Sequence, residues 1–350
     1  WRYVGGKHLA DIENEARRLA CEVYGATHAN VRPLSGENCT NIVIHAVLPR
    51  GGTFFHLAME DGGHFAAASV AERLTPHRHL LPCDPSHGGL DLDACAIAFA
   101  AHPPDVIYLD ASMMLRPHPI RALRDLVGEH PIIVYDASQV FGLLAGGLFQ
   151  DPLAEGADLL SGSTHKSLPG PQKGMILTRR ADLMDRIEAT IFPGHVSNFH
   201  LHHVAALAVT LAEMQAFGAA YADATIANAR ALARGLSKRG MNVQTSAPHT
   251  DSHQVWLDVT DVATPDEAVE RLHEAHLIAN VNLLPTLRAK GLRLGTPEAT
   301  RLGMGEEEMD HVAALMHDAL THARPIEAVQ SDVLQLAAAF QTVQYTFPSC

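Results

Sequence analysis

ADLLSGSTHKSLPGPQKGMILTRR, residues 157–180, decides the architecture. The run Ala157–Leu160 has strand length and leads into a Ser/Thr cluster. His165-Lys166, a Pro/Gly loop and a second strand-length run, GMILT, follow. A lysine at the mouth of a sheet, beside hydroxyls, is a candidate amine nucleophile. By spacing alone, a solvated surface lysine fits the same pattern.

Similar runs lie upstream: TFFHLAM (53–59), DVIYLD (105–110) and PIIVYD (131–136). Helical or turn segments separate several of them, which predicts a mostly parallel sheet with helices on both faces. Residues 8–24 carry apolar residues at helical spacing and stop before Gly25, so they predict an amphipathic helix. In VRPLSGENCTNIVIHAVLPRGG (31–52), a Ser-Gly turn opens a helix that ends at Pro49–Gly52. Residues 200–237 predict one or two long Ala-rich helices. Beyond about residue 240 the order becomes strand (HQVWLDV), helix (PDEAVERLHEAH), two strands (LIANVNLL, GLRLGT) and helices over 305–323 and 329–340. The expected division is an N-terminal helical segment (1–25), a large α/β domain (26–238) and a small α+β domain (239–350).

The chain has 350 residues, 47% hydrophobic and 19% charged, which is globular composition. No run of about 18 uncharged apolar residues occurs, so no membrane partner is expected. A net charge of −13 argues against nucleic acid, which needs a basic face. Five scattered cysteines without metal-site spacing predict a reduced, cytoplasmic protein. Trp1-Arg2-Tyr3 opens no signal-peptide pattern, and without an initiator Met the chain is expected to begin within a longer product.

Two further elements bear chemistry. Asp136 ends a buried strand, where parallel sheets place ligand groups. A carboxylate there can keep a pyridine nitrogen protonated, or can cap the next turn. Ser35-Gly36 starts a helix and offers free N–H groups to a phosphate, although such turns are common.

The order of these elements resembles the serine hydroxymethyltransferase family. RYVGGKHLADIENEARRLACEVYGA (2–26) is similar to that family's Arg-Tyr-Tyr-Gly-Gly start. ANVRPLSGENCTN (29–41) resembles its Asn-Val-Gln-Pro-His-Ser-Gly segment, and DGGHFAAAS (61–69) its His-Gly-Gly-His-Leu segment. YDASQVFGLLAGG (135–147) resembles Asp-x-Ala-His-x-x-Gly-Leu, and STHKSLPGPQKG (163–174) resembles Thr-Thr-His-Lys-Thr-Leu-x-Gly-Pro-Arg-Gly. FPGHVSNFHLHHVAA (192–206) and GLRLGTPEATRLGM (291–304) complete the set.

The resemblance implies a fold-type I pyridoxal phosphate enzyme, a homodimer or tetramer, acting on a small α-amino acid. It implies that Lys166 joins the cofactor covalently, Asp136 pairs with the pyridine nitrogen, and His64 stacks on the ring. Ser35, Gly36 and Glu37 would lie at the phosphate, flanked by Ser163, Thr164 and His165. Ser138, Gln139 and Ser112 would border the cofactor, with Gln139 also on the substrate side. Ser197 and Asn198 would reach the partner's phosphate. Arg293 and Tyr3 would bind the substrate, Arg293 gripping its carboxylate.

Several of the departures fall on the folate side. Val4 replaces the family's second tyrosine, Gln139 its histidine, Gln172 its arginine, Ser197-Asn198 its Gly-Gly, and Phe65 its leucine. The loop between Asn282 and Arg293 is short, and the family's substrate-side glutamate would precede Trp1. The expected chemistry is therefore folate-independent Cα–Cβ cleavage and transfer, as in an L-threonine transaldolase or a β-hydroxy amino acid aldolase, with an aldehyde as second partner. Alternatives are a true tetrahydrofolate-dependent glycine hydroxymethyltransferase and an oxygenase or decarboxylase of a glycine-like amino acid in secondary metabolism. From a different class come a non-catalytic paralogue and a metal site at His195, His200, His202 and His203, with no metal as the favoured expectation.

Overall fold

The computed structural model describes residues 6–86 and 88–348. Helix α1 (Lys7–Tyr24) ends at Gly25, whose left-handed φ of 61° suits glycine. Strand β1 (His28–Asn30) leads to α2 (Gly36–Val47), capped by the Ser35 hydroxyl, which accepts from Asn38 N at 3.1 Å. Then come β2 (Phe54–His56), α3 (Phe65–Ala71), β3 (Arg78–Leu80) and a small hairpin of β4 (Cys83–Asp84) and β5 (Gly89–Leu90). The alternation continues with α4 (Leu92–Ala101), β6 (Val106–Leu109), α5 (Ile120–Val127), β7 (Ile132–Asp136), α6 (Phe141–Ala145), α7 (Pro152–Glu155), β8 (Leu159–Ser163), β9 (Gly174–Thr178) and α8 (Ala181–Thr190).

The main sheet has seven strands in the order β1-β9-β8-β7-β6-β2-β3. The five from β8 to β3 run parallel, while β9 is antiparallel to both β8 and β1. Strands β6, β8 and β9 are buried throughout, because helices cover both faces and leave no solvated side. The chain places β3 outside β2, then resumes with β6 on the other side of β2. Loops diverge at that reversal and open a crevice at the strands' carboxyl ends.

Helix α9 (Leu201–Lys238) is one helix of 38 residues. It is long and apolar enough to cross a bilayer, yet it packs against α1, α6 and, later in the chain, α12 (Glu306–Thr321). Glu213, in its middle, is buried and paired with Arg301 at 2.7 Å. Both are marks of a core helix.

The small domain contains β10 (Asn242–Val243), β11 (Gln254–Asp258), α10 (Pro265–Glu274), β12 (Asn280–Leu284), β13 (Ala289–Gly295) and α11 (Pro297–Arg301), then α12 and α13 (Ile326–Ala339). Its four strands are antiparallel in the order β10-β11-β13-β12. A capping box between Thr264 and Glu267 fixes the start of α10. The large core runs to Ile226 and the small one begins at Ala229, so the two meet inside α9. A third cluster of Met113, Leu115, Trp256 and Leu284 seals the joint between them.

Candidate active site

Three strand ends deliver the candidate groups to one cleft. The segment after β6 brings Asp110 and Ser112, the end of β7 brings Asp136 to Gln139, and β8 runs out into Ser163, His165 and Lys166. Ser35, Gly36 and Glu37 close one side, and His64 and Phe65 close another. The empty volume is about 670 Å³.

The α2 turn packs tightly on the end of β8. A Cβ on Gly36 would lie 3.0 Å from both N and Oγ of Ser163. Gly162, at φ 149°, could not carry one either, because Ser138 N and Oγ would be 2.6 Å away. The Ser138 hydroxyl accepts from Ser163 N at 2.9 Å. The result is a ring of hydroxyls and backbone around the N-terminus of α2, whose peptide dipoles favour an anion.

Asp136 Oδ1 accepts from Ser138 N at 2.8 Å. Burial raises its pKa above the ordinary value, and hydrogen bonds from Ser138 and the charge of Lys166 oppose the rise. Lys166 is lowered, first by burial in the cleft, with Arg293 adding to the effect and Asp136 resisting it. A lysine so placed yields a free amine more readily than a surface lysine. His64 caps α3 through Nδ1, which accepts from Ala66 N at 3.3 Å, and its ring lies 4.3 Å from that of Phe65. Burial also depresses the pKa of His64 and of His165.

Arg293, on β13, reaches back to the large domain and donates to the Ser112 carbonyl at 3.2 Å. Beyond Lys166 it helps wall a second chamber of about 720 Å³, with Met59, Phe65, Met113, Asn282 and Leu283. The chamber shares His64, Phe65, Ser112, Gln139 and Lys166 with the first cleft.

Most of the expected residues therefore converge. Thr164 does not line the cleft; its buried hydroxyl donates to Pro171 O at 2.7 Å and closes the loop after Lys166. Ser197 and Asn198 lie exposed in the segment before α9, away from this chain's own cleft. Tyr3 and Val4 fall outside the described residues. Among the described residues no group of three or more His, Cys, Asp or Glu side chains is placed to hold a metal ion, although the His202 and His203 rings lie 4.3 Å apart.

Sequence reasoning missed Asp110. It is buried in the cleft wall, accepts from Leu57 N at 3.3 Å, and is pushed well above the ordinary carboxylate range by burial and then by Asp136. The signal was available, because Asp110 directly follows a strand just as Asp136 ends one.

The donor set fits pyridoxal phosphate. The hydroxyl-lined turn suits a phosphate, Asp136 suits a pyridine nitrogen, and Lys166 suits an aldehyde carbon. Residues 1–316 match the sequence profile of serine hydroxymethyltransferase. Serine hydroxymethyltransferases of Methanopyrus kandleri and Methanocaldococcus jannaschii are 40% and 39% identical, over 99% of this chain and 83% of each relative. The crystal structure of an L-threonine transaldolase from Pseudomonas fluorescens superposes with a TM-score of 0.94 at 30% identity, covering 99% of this chain and 81% of that one.

Proposed function

The chain belongs to the serine hydroxymethyltransferase family and is a pyridoxal phosphate-dependent enzyme of fold type I, and on that premise we propose that it cleaves and transfers at the Cα–Cβ bond of a β-hydroxy α-amino acid without folate. The observation that carries the reading is the second chamber. Met59, Phe65, Met113 and Leu283 give it apolar walls beside Lys166 and Arg293. Such walls suit the hydrocarbon part of an aldehyde. The likeness to an L-threonine transaldolase over almost the whole chain supports the same reading.

Bound in the cleft, pyridoxal phosphate supplies an electron sink that lets a bond at Cα break heterolytically. The protein's residues prepare that event. Ser35, Gly36 and Ser163 would hold the phosphate, with Glu37 at the rim. Asp136 would keep a proton on the pyridine nitrogen, and the hydrogen bond from Ser138 N stabilises its charged form. His64 would lie against the ring. Lys166 would carry the cofactor, yield to the substrate amine, and then stand within reach to take or return a proton. Arg293 would bind the α-carboxylate through two N–H groups, and that grip orients the Cα substituents. Gln139, lining both spaces, would face the substrate hydroxyl or aldehyde oxygen. The same reading makes the protein a cytoplasmic homodimer, in which exposed Ser197 and Asn198 reach the partner's phosphate.

Acetaldehyde release from L-threonine tests the proposal, with the cofactor-loaded protein assayed without folate, with and without an aromatic aldehyde. Release that rises with the added aldehyde, together with a new β-hydroxy amino acid, is the expected result. No release in either case overturns it. The 40% identity to serine hydroxymethyltransferases favours a second reading, hydroxymethyl transfer from serine to tetrahydrofolate, which the same preparation can be assayed for.

A further inference from the structure

Lys173 takes no part in the chemistry above, yet its side chain is fully buried immediately before β9. Its ammonium donates to three backbone carbonyls, those of Arg32 at 3.3 Å, Pro33 at 3.2 Å and Phe199 at 2.8 Å. Three donors meet three acceptors, so the group is saturated. The Phe199 ring adds a cation–π contact at 5.9 Å. The nearby carboxylate of Glu13 is engaged by Arg32 at 2.6 and 3.1 Å, so backbone oxygens do the work of binding the lysine.

Burying an ammonium without a carboxylate is costly. The three carbonyls come from two separate segments, and Lys173 itself belongs to a third. Arg32 and Pro33 lie just before the Ser35-Gly36 turn, and Gly174 N donates to the same Pro33 carbonyl at 3.1 Å. Phe199 directly follows Ser197 and Asn198 and precedes His200, which takes a left-handed backbone of φ 50° at the head of α9. Backbone carbonyls converging on one positive charge are the ligand set of a potassium or sodium ion.

We propose that this carbonyl cage is a monovalent-cation site filled by the tethered ammonium of Lys173, which thereby sets the Ser35-Gly36 turn and the 196–200 segment in the shape that receives a phosphate. Lys173 is a positioning residue, and the proposal rests on the phosphate lying at that turn. The lysine's pKa, lowered to about 8 chiefly by burial, fits an ammonium held by neutral oxygens.

The test is chemical rescue, read as cofactor affinity. Binding of pyridoxal 5′-phosphate and of pyridoxal, which lacks the phosphate, is titrated by absorbance in choline buffer. Lys173→Ala is expected to bind pyridoxal 5′-phosphate about tenfold more weakly or worse, to bind pyridoxal as the parent does, and to regain affinity with potassium or ammonium. Lys173→Met fills the space without charge and is expected to lose affinity without rescue. Unchanged affinity in the alanine variant, or a loss that neither ion repairs, overturns the cage. If the alanine variant does not fold in choline, Tm is compared with and without potassium. A rise in the alanine variant alone supports the cage, and no rise overturns it. Ser35→Ala reads the phosphate turn separately, since its loss of phosphate-dependent affinity stands whatever happens at Lys173.

Discussion

Arg293 donates from Nη1 to the Ser112 carbonyl at 3.2 Å, and the Gln254 amide donates to the same carbonyl at 3.1 Å. The guanidinium assigned to the substrate is thus tied to the large domain although it sits on a small-domain strand. Nη1 also donates to Met113 Sδ at 4.0 Å, and among the described residues no hydrogen bond engages Nε or Nη2. Arg293→Lys keeps the charge and loses the fork, so KM for the amino acid is expected to rise roughly ten- to a hundredfold. Initial-rate kinetics check this, and an unaltered KM would place the carboxylate elsewhere.

Lys166→Ala removes the amine that would join the cofactor. Borohydride treatment of the parent protein is expected to leave the cofactor's mass fixed on the peptide containing Lys166. Peptide mass spectrometry of the variant should find no such addition. A labelled peptide elsewhere in the variant would reassign the nucleophile.

His118 gives a pH signature away from the chemistry. It is buried, its Nε2 has no hydrogen-bond partner, and burial lowers its pKa from 6.5 to about 4. Between those values the unfolded chain takes up a proton that the folded chain refuses, so stability falls as pH falls. From pH 7 to pH 5, the parent is expected to lose about 1–2 kcal/mol more than His118→Gln. Urea titrations of both proteins at the two pH values check the difference, and equal losses would contradict it.

Arg301 and Glu213 join α11 to the middle of α9 at 2.7 Å, both nearly out of solvent. Thr346 also donates to Glu213. Arg301→Ala strands a buried carboxylate and is expected to cost about 3–5 kcal/mol. Arg301→Met with Glu213→Gln should recover much of that loss. Denaturant midpoints of the two variants decide the matter, and a double variant as weak as the single one would show that packing dominates.

The parallel sheet was legible because its strands are short apolar runs set between turn residues, and the Ser35 cap was legible from one hydroxyl before a helix. The assembly of Asp136, His64, Lys166 and Arg293 into one place was legible through motif order. Side-chain direction was not. Thr164 sits among cleft residues in sequence, but Pro171, across the loop, claims its hydroxyl. Strand β1 has three residues and no apolar alternation, and it exists because β9 pairs with it. The meeting of the cores inside α9 leaves no mark in a helix that is Ala-rich along its length. No pattern in the sequence marks Lys173 as interior; distant carbonyls make it so.

The pairing of His28 with Thr178 has a consequence in time. The strand leading to the phosphate turn is synthesised about 150 residues before its sheet neighbour. Until then Pro33 has no Gly174 to bond and Arg32 has no Lys173. On the reading that puts the cofactor's phosphate at the Ser35-Gly36 turn, a nascent chain is expected to load its cofactor only after β9 has joined β1. Cofactor supply then acts on a chain whose main sheet is already made, and shortage is expected to show as folded but empty molecules.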